Sequence, residues 1–110
     1  TSYQQFSFPR LNLFEWIINS QLSFNFGTYD IVICTSCEHL EQKVIDDMLE
    51  KVRKGALVIL QSNNYFAIED HINCHNSVKE FNQTLHLGKI LYNGTLELEN
   101  CDRYMVIGIK

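Results

Sequence analysis

The chain has 110 residues, four cysteines and a formal net charge of −4. That length suits a single domain with a modest core, and mild acidity without a basic run or stripe argues against nucleic-acid binding through phosphate neutralisation. The longest apolar stretches reach about half the ~20 residues a membrane span needs, no secretory leader is legible, and cysteines scattered among Lys-rich helix and apolar strand patterns fit a reduced, cytoplasmic protein.

In chain order, residues 1–10 are aromatic-rich and reach the only proline, Pro9, as an extended lead-in. Asn12 with Glu15 three residues on forms a capping-box pattern, and Leu13, Phe14, Trp16, Ile17 and Ile18 give a helix at about 12–22 one apolar side. Phe24 to Thr28 reads as a turn into the run Tyr29-Asp30-Ile31-Val32-Ile33-Cys34-Thr35, a strand at about 29–35 that breaks into Ser36, Cys37, Glu38 and His39. A helix at about 40–54 follows, with Val44, Ile45, Met48, Leu49 and Val52 on one face. Acids lie toward its amino end and Lys51, Arg53 and Lys54 at its carboxyl end, matching the helix dipole, and Gly55 is expected as its left-handed cap.

Ala56 to Ser62 is a second apolar strand, ending in Asn63, Asn64 and Tyr65. After a polar loop, Ser77 with Glu80 caps a helix at about 77–86 whose stripe is Val78, Phe81 and Leu85. The chain closes with an antiparallel pair of strands, Lys89 to Glu97 and Arg103 to Ile109. Asn93-Gly94 offers a hairpin turn inside the first of these, but Arg103 to Ile107 needs a partner of similar length, which favours one bent strand. Two continuous apolar strands joined by a helix make a parallel βαβ unit, so the fold class is α/β. Helices are expected on both faces, with Val58 and Ile59 both fully buried. Open parallel sheets bind ligands beyond the carboxyl ends of their strands, where both polar clusters fall.

The order strand, helix, strand, loop, helix, strand, strand resembles the second half of a class I S-adenosylmethionine-dependent methyltransferase, a Rossmann-like domain. Tyr29 to Ile33 followed by Glu38-His39-Leu40 is similar to the family's fourth-strand motif and its "EHL" element. Lys51 to Ile59 resembles the "LKPGG" stretch into the fifth strand, without its proline. The resemblance covers residues ~29–110. It implies a small-molecule substrate and S-adenosylmethionine as cofactor, with Thr35 and Ser36 on the cofactor side. Glu38 and His39 would face the reacting centre, where a carboxylate or imidazole orients a nucleophile or takes its proton. The family's Gly-rich turn has no counterpart here: the five glycines, at 27, 55, 88, 94 and 108, form no G-x-G. The cofactor is therefore expected only in a complete domain, the chain alone is expected to be inactive, and the start at Thr1 is read as a piece of something longer.

The residues leave other uses open. Glu38 could instead simply complement a helix start at an exposed strand tip, and His39 could pack. Asn63, Asn64 and Tyr65 could bind a substrate's polar groups or only satisfy loop backbone. A tetrahedral zinc set from Cys37, His39, Cys74 and His75 is geometrically conceivable across neighbouring loops, and Cys34 with Cys37 has the spacing of a redox pair. Trp16 and its neighbouring Phe residues read as core. The missing family half leaves the edge of the 29–35 strand bare. Either the absent half, residues 1–28 or a second copy covers it, or the domain is non-catalytic and works by association through that edge.

Overall fold

The computed structural model describes residues 26–110, so the expected lead-in and the helix at 12–22 lie outside the described residues. The elements are β1 (Ile31–Cys34), α1 (Gln42–Lys51), β2 (Leu57–Asn63), α2 (Val78–Gln83), β3 (Lys89–Glu97) and β4 (Asp102–Ile109), with short 3₁₀ turns at Phe26–Thr28 and Cys37–His39. They form an α/β fold on one mixed sheet of order β1-β2-β4-β3. β1 and β2 run parallel, from Ile31 opposite Leu57 to Cys34 opposite Leu60. β4 is antiparallel to both β2 and β3 and separates them.

The local choices follow from the sequence. Ser77 caps α2 by accepting the Glu80 N–H at 3.1 Å, as its capping pattern predicts. β3 is one strand rather than a hairpin; its register slips between Ile90 and Tyr92, a bulge that supplies the expected bend. Gly94 lies under the Tyr92 ring, whose hydroxyl stands 2.1 Å from where a Cβ would be, so no other residue fits there without moving the ring. Gly55 does take the left-handed conformation, φ 90°, but it does not end α1. That helix stops at Lys51, where the Val52 N–H bonds back to Met48 and Leu49; Gly55 turns the chain into β2 four residues later.

The core is a single layer. Val32, Val58, Leu60, Tyr104 and Val106 on one sheet face pack with Ile45, Met48 and Leu49 of α1, Phe81 of α2, and Cys37 and Leu40 from the turn after β1. Both helices cover this face. Alternation along β2 puts Leu57, Ile59 and Gln61 on the opposite face, where each is only half-buried. Ile31 and Ile33 beside them are 56% and 58% exposed, and Tyr92 and Leu96 of β3 are exposed as well. The expectation of helices on both faces, with Val58 and Ile59 equally buried, is thus corrected for the described residues. Val58 is fully enclosed and Ile59 is not. The physical reason is the direction of winding: β1, β2 and β3 run parallel and succeed one another in the same direction across the sheet, so two crossovers of the same hand lay α1 and α2 on one face, and a continuous apolar run does not reveal this.

The two faces should therefore respond differently to a charge. Val58→Asp is expected to unfold the domain, since an unpaired carboxylate in the core costs several kcal/mol against a total stability of roughly 5–15 kcal/mol. Ile59→Asp should be far milder. Thermal melts followed by circular dichroism compare them, and equal losses would mean that the second face is covered in solution.

Candidate functional site

Parallel pairing sets the ends of β1 and β2 side by side, and the segments leaving them meet there. After Cys34 the chain turns through Ser36 into the 3₁₀ turn Cys37–His39, with the His39 and Leu40 N–H groups bonded to Ser36 and Cys37 carbonyls at 3.0 Å. After Asn63 the loop 64–76 folds back over the same end. It is pinned by Asn73 N–H to the Glu38 carbonyl and His75 N–H to the Asn63 carbonyl, both 3.0 Å. The buried Ser62 hydroxyl donates to Asn73 O at 3.2 Å, and the buried Tyr104 hydroxyl to His75 O at 3.1 Å.

Glu38 occupies the centre of this arrangement. It is 4% exposed, so the expected exposed strand tip is corrected: the loop 64–76 closes over it. One carboxylate oxygen, Oε1, faces Arg103 Nη1 at 3.6 Å. The other, Oε2, is buried without a hydrogen-bond partner. Arg103 reaches across from the start of β4, donating also to Gln61 Oε1 at 3.1 Å and to the Thr35 carbonyl. A buried carboxylate oxygen with nothing to accept from is costly, and native structures rarely leave one without a use.

Two imidazoles stand against Glu38. His39 and the loop residue His71 meet edge to face, with ring centroids 4.7 Å apart. His71 Nδ1 lies 2.9 Å from the Tyr65 carbonyl. A carbonyl only accepts, so Nδ1 carries the proton and Nε2 keeps its lone pair. One ligating atom from each of Glu38, His39 and His71 falls within 4.8 Å of the other two. The contact of His71 with the His39 ring depends on how the irregular loop 64–76 folds back, which no spacing encodes.

The other candidates divide. Asn63 is buried, and its side-chain oxygen accepts from Tyr65 N–H at 3.1 Å and from the Cys74 thiol at 3.3 Å. Asn64 clasps Asp102, accepting its N–H at 2.7 Å. Both amides are thus occupied in holding the loop, while Tyr65 lends its carbonyl to His71 and its ring lies 6.1 Å from that imidazole. Thr35 is exposed and Ser36 half-buried at the tip of β1. Of Cys37, His39, Cys74 and His75, only His39 belongs to the convergent group found among the described residues. Cys37 is buried in the core with its sulfur 3.6 Å from that of Cys34. The Cys37 thiol donates to Cys34, which lowers the Cys34 pKa and raises that of Cys37 well above its usual value, with burial adding to the rise. Burial also raises Cys74. Among the glycines, Gly88 and Gly108 are closed by the chain's own Lys110 and Lys89 carbonyls and Gly94 by Tyr92, while Gly55 has open space beside it. No family model, curated protein or solved structure matches this chain.

His75 gives the site a pH-dependent anchor. It is buried against Phe81, with Nδ1 3.6 Å from Glu80 Oε1 and Nε2 unpartnered. Burial lowers its pKa below the ordinary 6.5, and the Glu80 charge opposes this only in part. The folded state thus binds the proton less readily than the unfolded chain, so stability is full above the unfolded value and declines as pH falls below it. The urea midpoint should drop between about pH 7.5 and about pH 5.5, and His75→Gln should flatten that drop. An unchanged slope in the variant would assign the acid sensitivity elsewhere.

Proposed function

We propose that this chain is the substrate-side part of an S-adenosylmethionine-dependent methyltransferase-like domain acting on a small molecule. The observation that carries the reading is the convergence of Glu38 and His39 with the β2 loop at the carboxyl ends of two parallel strands, where open α/β sheets hold their ligands. The element order and the Glu38-His39-Leu40 motif after β1 add support. When bound, the cofactor supplies an electrophilic methyl group; its own seat requires residues beyond those described here. This chain's contribution is the acceptor side. Glu38, fixed by Arg103 through Oε1, keeps Oε2 free to orient a substrate hydroxyl or amine or to take its proton. His39 and His71 wall the same space, and Tyr65 together with the Asn63 and Asn64 loop shapes its rim. Calorimetry of the natural gene product that contains this chain should show S-adenosylmethionine binding displaced by S-adenosylhomocysteine. Absence of binding at millimolar cofactor would overturn the reading.

A second reading is favoured by a separate observation, the exposed apolar side of the sheet. Ile31 and Ile33 stand on an edge strand that pairs only with β2 among the described residues. A bare apolar edge invites association, and a domain without a cofactor seat could serve as an interaction module through it, with a second copy or another segment as partner. Sedimentation of the chain from micromolar to millimolar concentration distinguishes the two. Concentration-dependent dimers that Ile33→Lys abolishes are expected for the module, and a monomer throughout argues against it.

A further inference from the structure

We propose that Glu38, His39 and His71 form a binding site for one divalent transition-metal cation, open to an oxygen of a bound small molecule. The proposal stands on the geometry of the three side chains and does not rest on the methyl-transfer reading.

Three independent features point the same way. Glu38 Oε2 is buried and unpartnered, so the fold holds a carboxyl oxygen in a place where only a cation or a donor would offset its desolvation. His71 is locked in the tautomer a metal needs: Nδ1–H donates to the Tyr65 carbonyl, leaving Nε2 as the lone-pair nitrogen. Finally, one ligating atom from each of the three residues lies within 4.8 Å of the others. The ligands of a tetrahedral ion at bond lengths of about 2.0–2.2 Å stand roughly 3.3–3.6 Å apart. Closing the difference takes a shift on the order of an ångström, within reach of side-chain rotation of the two half-buried imidazoles.

The donor chemistry narrows the ion. Two imidazoles with one carboxylate suit zinc, iron(II) and their neighbours, whereas calcium and magnesium prefer oxygen ligands throughout. The surroundings also resemble an outer coordination shell. Arg103 holds the second oxygen of Glu38, at 3.6 Å, and the Tyr65 carbonyl orients His71. Three protein ligands leave a tetrahedral ion one position short, which is the pattern of sites that take water or a substrate oxygen rather than of closed structural sites. The ligand class is therefore a small molecule with an oxygen donor, such as a hydroxyl or carboxylate, entering past Tyr65. The nearby thiols are engaged elsewhere: the free Cys37 thiol donates to the Cys34 sulfur, and the Cys74 thiol donates to Asn63.

The test titrates the reduced, metal-stripped 110-residue chain with zinc by calorimetry and with cobalt(II) by absorption. One equivalent of zinc is expected to bind. His39→Ala and His71→Ala should each weaken binding at least about 100-fold, with the metal-free melting curve unchanged because both side chains are only half-buried. Glu38→Gln should do the same, and because it removes the most buried ligand its effect is read only if it melts like the parent. A Cys34→Ser, Cys37→Ser, Cys74→Ser variant should keep parental affinity, and the cobalt complex should lack thiolate-to-metal charge transfer. No zinc binding at micromolar metal, histidine variants that bind like the parent, or a thiolate band that vanishes with the cysteines would each overturn the proposal. S-adenosylmethionine binding is measured separately, so failure of either reading leaves the other standing.

Discussion

The parallel pairing of β1 with β2 is the constraint on which the polar end of this molecule depends. Parallel strands end on the same side of a sheet, so the register that sets Cys34 opposite Leu60 also sets the turn Cys37–His39 against the loop leaving Asn63. Shift that register by one residue and Val32, Val58 and Leu60 would exchange faces with Ile31, Ile33 and Ile59, dissolving the core and the site together. The buried face of β2 is what forbids the slip. Core and chemistry therefore share one cause: the same alternation that hides Val58 and Leu60 from water carries Ser62 inward to tie down the loop through Asn73.

The loop 64–76 is irregular, yet its backbone and side-chain polar groups are extensively partnered. Asn63, Ser62, Tyr104 and the Glu38 carbonyl all engage its hydrogen-bonding groups, and its own Asn64 accepts from the Asp102 N–H. Such a loop behaves as a rigid wall, and rigidity is what lets it hold a histidine at a fixed distance from a carboxylate on another segment. The cost appears in the groups left over. Glu38 Oε2 and His75 Nε2 are the two buried side-chain nitrogen or oxygen atoms without partners among the described residues. The Glu38 carboxyl stands with His39 and His71; the His75 ring sits against Phe81, and burial lowers its pKa.

Much of the fold was legible in the sequence, because periodicity and capping are local. Val44 to Val52 announced α1, Ser77 with Glu80 announced α2, and the need of Arg103 to Ile107 for a long partner correctly outweighed the Asn93-Gly94 turn signal. What was not legible is non-local. An apolar run such as Ala56 to Leu60 states that a strand is buried but not on how many faces, and the common direction of the two crossovers, β1 to β2 and β2 to β3, decided that. The site was half visible. Glu38 and His39 stand next to a strand end and could be named; their burial, and the arrival of His71 rather than Cys74 or His75, depended on the path of a loop. Asn63 and Asn64 in succession exceed what a turn needs, and in the structure both also tie the loop in place.

The bulge at Leu91 has a bearing on assembly. Among the described residues the sheet has two outer strands, and they are unequal. β3 is bent by its extra residue and carries Lys89 and Glu97 at its ends, features that spoil an edge for strand addition. β1 is short and apolar. Two copies of the described sheet meeting through β1 would consume both such edges and close on a two-fold axis, so that mode of edge-to-edge pairing stops at a pair.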